Sequence, residues 1–228
     1  MQQDLIAHLS LFVTPQRLKL FDRILLNRTK YITVVLEDIY QAQNASAVLR
    51  TCDCFGIQNV HIIENRNTFE VDREVAMGAS KWLSLHTYQR ESENTLHTLR
   101  QLKKQGYTIV ATSPHGEGTS LHEFDISKGK LALVFGSELP GVTDTVLQNA
   151  DEFLKIPMFG FTESFNISVS VAVILHHLSM KMRSNPDLNW HLTREEIDEI
   201  KLQWLRNSIK SSKSIEKRFG EGSANRIK

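Results

Sequence analysis

The sequence predicts an open α/β fold: a mostly parallel sheet with helices on both faces, flanked by N- and C-terminal helices. Three observations predict it. Short β-branched runs alternate with helix-period stretches across about 150 residues of a 228-residue chain. Several of the helix-period stretches close on a glycine, as at Gly56 and Gly106. The segments between successive strand runs are long enough for a helical crossover, which makes neighbouring strands parallel and the crossovers right-handed.

The elements follow in chain order. Residues 14–27 (TPQRLKLFDRILLN) read as a helix capped by Thr14, with Pro15 at its first position and an apolar stripe of Leu18, Phe21, Ile24 and Leu25. Residues 31–37 (YITVVLE) are a buried strand. Residues 44–55 are a helix with Ala45, Val48, Leu49, Cys52 and Phe55 at helical spacing, and Asn44 is expected to cap it. A strand at 59–64 completes the first β-α-β unit. A short helix at 71–79, a strand at 82–86 and a helix at 91–105 follow, the last carrying Leu96, Leu99 and Leu102. Strands at 107–112 and 130–135, a helix at 143–150 and a strand at 152–156 lead into a long apolar helix at 164–183. Asn185-Pro186-Asp187 breaks the pattern. Thr193 and Glu196 then form a capping box that restarts a helix. Its apolar stripe runs through Ile197, Ile200, Trp204, Ile209 and Ile215, and the tail from Gly220 is expected to be flexible. The expected organisation is an N-terminal extension (1–30), a central α/β domain (31–184) and a basic C-terminal extension (185–228).

Composition narrows the function classes. A hydrophobic content of 41% suits a soluble globular protein, and no apolar run approaches the roughly 18–20 residues of a membrane span. The first ten residues lack the basic start and small-residue cleavage site of a signal peptide, so a cytoplasmic protein is expected. Cys52 and Cys54 are two residues apart on a helix with no second pair, which reads as unpaired thiols in a reducing compartment rather than as a zinc site. The two glycosylation sequons, at Asn44 and Asn166, carry no weight without secretion. Net charge is only +1, but residues 1–30 carry five Lys/Arg against two Asp/Glu, and residues 201–228 carry eight against two. Basic ends around a less charged centre suggest a compact domain with arms that contact nucleic acid. The competing reading is that terminal helices are charged for solubility.

In an open α/β sheet, ligands bind beyond the carboxyl ends of the strands. Three polar clusters stand there. Asn44 and Arg50 follow the first strand, Gly136-Ser137-Glu138 and Gly141 follow the strand at 130–135, and Ser164, Asn166 and Ser168 follow Pro157 and Met158. His115-Gly116-Glu117-Gly118 imitates a dinucleotide fingerprint, but Leu121 stands where its third glycine belongs and no helix begins there. No Walker loop is present. Adjacent His176 and His177 on the apolar helix read as interface or core residues.

Residues 44–51 (NASAVLRT), 135–142 (FGSELPGV) and 156–175 (IPMFGFTESFNISVSVAVIL) resemble, in order and spacing, the three motifs of the SpoU/TrmH-type RNA ribose 2′-O-methyltransferases of the SPOUT superfamily. The resemblance covers residues 31–180. The terminal helices resemble the extensions of tRNA guanosine 2′-O-methyltransferases acting on the D-loop. The resemblance implies a C-terminal trefoil knot, a homodimer packed through the knot, and transfer of a methyl group from S-adenosylmethionine to a tRNA ribose. It implies cofactor contacts at Thr112, Gly136, Ile156, Ser164, Phe165 and Asn166, mostly through backbone groups. It points to Asn44, Arg50, Glu138, Ser164, Asn166 and Ser168 for catalysis. Phe165 stands where the family has leucine. Arg17, Arg28, Lys210, Lys213, Lys217 and Arg218 are the expected RNA contacts, and no metal is implied. The family gives the base role to the arginine matching Arg50. A neutral guanidinium is costly, so two versions stand: Arg50 loses its proton in an unusual environment, or charged Arg50 stabilises the forming alkoxide while water takes the proton. Three roles stay open for Glu138: orienting Arg50, positioning RNA, or capping the next helix. Asn44 is left to hold either Arg50 or the cofactor. Methylation of ribosomal RNA, or of another tRNA site, is the alternative within this chemistry. A catalytically silent RNA binder is the alternative outside it.

Overall fold

The computed structural model describes residues 2–89, 93–113, 118–138 and 140–224. The chain forms two compact units: Thr29–Trp190, and a second built from both chain ends, Met1–Arg28 with His191–Lys228. The sequence suggests the ends as separate extensions. Their apolar stripes instead cover one another.

The larger unit is a seven-stranded sheet in the order β3-β2-β1-β6-β4-β7-β5, parallel in every pairing. Its strands are β1 (Ile32–Glu37), β2 (Asn59–Ile63), β3 (Ser84–Tyr88), β4 (Tyr107–Thr112), β5 (Thr119–Ser120), β6 (Lys130–Phe135) and β7 (Glu152–Lys155). Side chains alternate between faces, as the two-residue period requires. Ile32, Val34 and Leu36 of β1 join Leu131, Leu133 and Phe135 of β6 in one core, together with α3 (Ala42–Phe55) and α7 (Ile167–Ser184). Val35, Ala132 and Val134 face the other core, with α5 (Asn94–Lys104) and α6 (Asp144–Asn149). Both faces are therefore covered, and β1 is buried along its whole length. From β1 the chain builds outward through β2 and β3, then returns to lay β6 on the other side of β1, pairing Leu36 with Phe135. Strand order reverses there, so the loops after β1 and β6 lie side by side.

Several boundaries differ from those expected. The helix expected at 71–79 shrinks to α4 (Arg73–Ala76), because Met77 and Gly78 both take positive φ, 49° and 79°, and a 3-10 turn at Ala79–Lys81 follows. The third strand lies two residues later than expected, and the helix expected from 91 begins at Asn94; residues 90–92 lie outside the described residues. β5, two residues long, is an addition to the expected strands. The false dinucleotide motif falls mostly outside the described residues, of which it shares only Gly118. α7 begins at Ile167, three residues later than expected, because Asn166 is its cap: the Asn166 side chain accepts the Ser168 N–H. Asn44 does not cap α3. Gln41 holds that position without a side-chain capping bond to the helix backbone, and the Asn44 side chain turns elsewhere.

The smaller unit packs α1 (Gln2–Ser10) and α2 (Pro15–Leu25) against α8 (Arg194–Ser208), and α9 (Ser212–Ala224) against α1 and α8. Thr14 caps α2 and the Thr193–Glu196 capping box opens α8, as expected from sequence. The C-terminal stripe proves to be two helices, since Ile209 leaves helical geometry at φ −101° and ψ 113°. α9 also carries Gly220–Ala224 of the tail expected to be flexible; residues 225–228 lie outside the described residues. Phe21 meets Trp204 edge-on at 5.4 Å between ring centres, inside a core that includes Leu9, Leu25 and Leu205. Among the described residues no helix is long and apolar enough to cross a membrane.

Candidate functional site

The site is built where the strand order reverses. β1 ends in two carboxylates that both turn inward. Glu37 is buried and accepts from Thr95 Oγ1 at 2.6 Å, Thr143 Oγ1 at 2.8 Å and the Thr143 N–H at 2.9 Å. It thereby ties the start of α6 to the sheet. Asp38 takes φ 56°, uncommon outside glycine but tolerated by aspartate, and its Oδ1 accepts the N–H groups of Asn65, Arg66 and Asn67 at 2.9, 2.8 and 3.1 Å. The loops after β1 and β2 are thus pinned together. Neither residue is among those expected from sequence. The available signal was an apolar strand ending in paired carboxylates, which buries charge only with donors to meet it.

The loop after β6 needs Gly136. A methyl group there would lie 2.0 Å from the carbonyl carbon of Gly141, so no side chain fits. Gly141, at φ 70°, folds back to give its N–H to the Ser137 carbonyl at 3.0 Å. This tight loop presents Glu138.

Three expected residues from three separate motifs meet there. Asn44 Nδ2 donates to Glu138 Oε1 at 2.7 Å and to Gln41 Oε1 at 2.8 Å. Asn166 Nδ2 donates to the same Glu138 oxygen at 3.0 Å and to Asn44 Oδ1 at 3.1 Å. Ser168 Oγ completes the set, donating to Asn166 Oδ1 at 2.6 Å. Asn44 is buried while Glu138 and Asn166 are exposed, so the set runs from the core out to solvent. A cavity of about 350 Å³ opens beside it, lined by Asn44, Glu138, Ser137 and Ile167 together with Ile39, Tyr40, Gln41 and Asn67.

Arg50 stands outside this set. It is exposed on α3, six residues beyond Asn44, and makes no hydrogen bond or ion pair among the described residues. Among the described residues no hydrogen bond joins it to Glu138 or to Asn44. Ser164 is exposed in the loop between β7 and α7.

Three of the residues expected to hold a cofactor sit at the carboxyl ends of adjacent strands. Thr112 ends β4 and bonds the Val134 carbonyl at 2.9 Å, Gly136 follows β6, and Ile156 follows β7. Pro157 has no N–H to continue the ladder. Among the described residues, the backbone of 156–165 makes no internal hydrogen bond, so its N–H and C=O groups are open to a ligand. A side-chain-free cradle and open backbone groups fit a cofactor held through main-chain contacts.

Arg28, one of the expected RNA contacts, is 2% exposed, and its guanidinium lies 5.4 Å above the Trp204 ring. It is a core residue of the smaller unit and offers no surface to RNA. Arg17, Lys210, Lys213, Lys217 and Arg218 are exposed. Cys52 is buried, Cys54 is exposed and neither is in a disulfide, and the described residues contain no cluster of metal-ligating side chains. His176 is exposed and touches Phe55 edge-on at 6.0 Å.

Sheet, loops and polar set define a ligand-binding α/β protein with its site at the reversal of strand order. The model of the SpoU rRNA methylase family matches residues 31–176. The chain belongs to that family. It is 39% identical, over 92% of its own length and 94% of the relative's, to the tRNA (guanosine(18)-2′-O)-methyltransferase of Borreliella burgdorferi. The crystal structure of the Aquifex aeolicus TrmH/SpoU tRNA modifying enzyme superposes with a TM-score of 0.74 at 28% identity, covering 85% of this chain and 97% of that one. The SpoU methyltransferase AviRb of Streptomyces viridochromogenes, solved with AdoMet, shares the fold at 20% identity and a TM-score of 0.60, covering 72% of this chain and 65% of that one.

Proposed function

We propose that this chain transfers a methyl group from S-adenosylmethionine to the ribose 2′-hydroxyl of the guanosine at position 18, in the D-loop of tRNA. The observation that carries the reading is the joining of Asn44, Glu138 and Asn166, from three motifs, into one hydrogen-bonded set beside a cavity. The relative from Borreliella burgdorferi, named for guanosine 18, supports the choice of nucleotide.

Thr112, Gly136, Ile156, Ser164, Phe165 and Asn166 hold the cofactor, chiefly through backbone groups. The bound cofactor supplies an electrophilic methyl group carried on a sulfonium. Asn44, Glu138 and Asn166 fix the loops after β6 and β7 relative to α3, which holds the reacting groups in line; positioning alone supplies several kcal/mol of such a barrier. Arg50 is exposed, and a guanidinium in water stays charged. That favours the version in which its charge stabilises the developing alkoxide and the neighbouring phosphate while water takes the proton. Arg17, Lys210, Lys213, Lys217 and Arg218 bind the tRNA backbone.

The loop of residues 156–166 is bound through Asn166 to the loop after β6, and α7 packs on α3, an arrangement that supports the trefoil knot. Phe159, Phe161, Val169, Val173 and Met180 are exposed, the last three on one stripe of α7 with His176. Such an apolar surface supports a homodimer that packs through this region. The protein works in the cytoplasm.

The test is transfer of labelled methyl groups from AdoMet to unmodified tRNA transcripts, followed by mapping of the modified nucleotide. Label on the ribose of guanosine 18 is expected. Label at another tRNA position, or only in ribosomal RNA, would refute the assigned site and keep the chemistry. Binding of AdoMet and tRNA without any transfer would refute the enzyme.

A further inference from the structure

Among the residues that line the cavity and have no role in the scheme above are Tyr40 and Asn67. Tyr40 is a large aromatic left 78% exposed, while its neighbour Ile39 is buried and anchors the loop. The loop does not need Tyr40 for its shape. Asp38 supplies that, by accepting three backbone N–H groups from residues 65–67. Asn67 is oriented by the same device: its Nδ2 donates to the Asp38 carbonyl at 3.0 Å, which leaves its Oδ1 without a donor among the described residues. The cavity takes Asn44 and Glu138 from the reaction set and none of Thr112, Gly136, Ile156, Ser164, Phe165 or Asn166 from the cofactor set. It is therefore the nucleoside side of the site. Its volume, about 350 Å³, is within the range of small-ligand pockets.

We propose that Tyr40 and Asn67 form the nucleobase subsite, with Tyr40 stacking on guanine and Asn67 Oδ1 accepting from its N–H edge. The inference rests on the methyltransferase reading and extends it to base choice. An RNA loop base presented to an enzyme gives up stacking in its own strand, and an exposed aromatic ring restores it. Guanine carries two adjacent donors on its pairing edge, N1–H and the N2 amino group. One carbonyl oxygen with two lone pairs can receive both. Adenine presents a lone pair at N1 in the same place and would leave the Asn67 oxygen unpaired. Both residues determine specificity; neither touches the transferred methyl in this scheme.

The test compares wild type with Tyr40→Ala, Tyr40→Phe and Asn67→Ala on transcripts carrying guanosine or adenosine at position 18. Tyr40→Ala is expected to lose roughly 5- to 150-fold in kcat/KM, the worth of one stacked base, while Tyr40→Phe stays within roughly two-fold because the ring face remains. Asn67→Ala is expected to cut the preference for guanosine over adenosine by about ten-fold or more. AdoMet affinity, measured by calorimetry, is unchanged in all three and shows that each variant is folded. Full activity in Tyr40→Ala, or equal losses in Tyr40→Ala and Tyr40→Phe, would overturn the stacking assignment. An unaltered base preference in Asn67→Ala would overturn the reading of the base edge. Wild-type protein that leaves guanosine 18 unmethylated would overturn the parent reading and this one together.

Discussion

Arg50 and Glu138, which sequence alone leaves joined, have separate surroundings in the structure. Glu138 accepts at its Oε1 from Asn44 and Asn166, which ties the loops together, while Arg50 is exposed and, in the proposed scheme, acts on the substrate. Arg50→Ala is accordingly expected to lower methyl transfer by roughly 100-fold or more while AdoMet affinity stays within about two-fold. Titration against AdoMet and single-turnover transfer on the same preparation check this, and retained turnover would remove Arg50 from the mechanism. Away from the site, His61 of β2 is 2% exposed, stacks on His86 at 4.7 Å and meets Tyr88 Oη at 2.9 Å through Nδ1. Burial first, and then the charge of His86, push its pKa down to about 3, and His86 in turn is lowered by its own burial and by Lys30. Below pH 6.5 the unfolded chain takes up a proton at His61 that the folded chain refuses. Stability is therefore fully present above pH 6.5 and falls as pH drops toward 3, by at most about 1.4 kcal/mol per pH unit for this group. Denaturant titrations of wild type and His61→Phe at pH 7 and pH 5.5 read it directly. The variant should show the shallower dependence, and equal dependence would rule His61 out. The meeting of Asn44, Glu138 and Asn166 was legible because each belongs to a motif of fixed spacing. Arg28 was not, because one basic letter looks alike on a surface and over a buried tryptophan.

Elements were legible in proportion to how fully they carry their own signal. β4 and β6 fall on the residues expected from sequence, since each is a continuous apolar run bounded by turn residues. β5 has two residues and exists only because β7 offers an edge to pair with, so nothing local announces it. The start of α7 is hidden for a related reason. Ser164 and Asn166 are both good caps, and only the bond from Ser168 to Asn166 decides between them. α7 also carries a signal that the apolar count conceals. Val171, Ile174, Leu175 and Leu178 are buried, while Val169, Val173 and Met180 are exposed, so the helix has a second apolar side. Val173→Asp places a charge on that side without touching the core. It is expected to weaken self-association by roughly two orders of magnitude and to leave the monomer folded, as sedimentation and circular dichroism would report. An unchanged sedimentation profile would remove this side of α7 from the proposed dimer.

On the scale of the whole molecule, charge is concentrated in the smaller unit and only part of it is available. Lys201 is paired with Asp22 at 2.6 Å and Arg206 with Glu216 through two bonds of 2.8 Å, whereas Lys213, Lys217 and Arg218 are exposed and make no ion pair among the described residues. Neutralising Lys210, Lys213, Lys217 and Arg218 together is expected to weaken tRNA binding at low salt. The slope of log affinity against log salt should become shallower by roughly 3, close to one counterion for each phosphate no longer neutralised. Binding measured between roughly 50 and 200 mM salt tests this, and an unaltered slope would move the RNA surface off α9. The α/β architecture at this scale was readable from alternation alone. The union of the two chain ends was not, because a stripe of apolar residues states that a helix has a partner and never which one.

That union also sets a timetable. The bond from Gln3 to Asp198 joins residues 195 apart, and α1 and α2 bury Leu9, Phe21 and Leu25 in a unit that α8 must complete. A ribosome adds roughly 5–20 residues per second, so α1 and α2 wait on the order of 10 to 40 seconds for α8, with the larger unit synthesised in the interval. A chain cut short anywhere before α8 would leave the ribosome with the apolar stripes of α1 and α2 still uncovered.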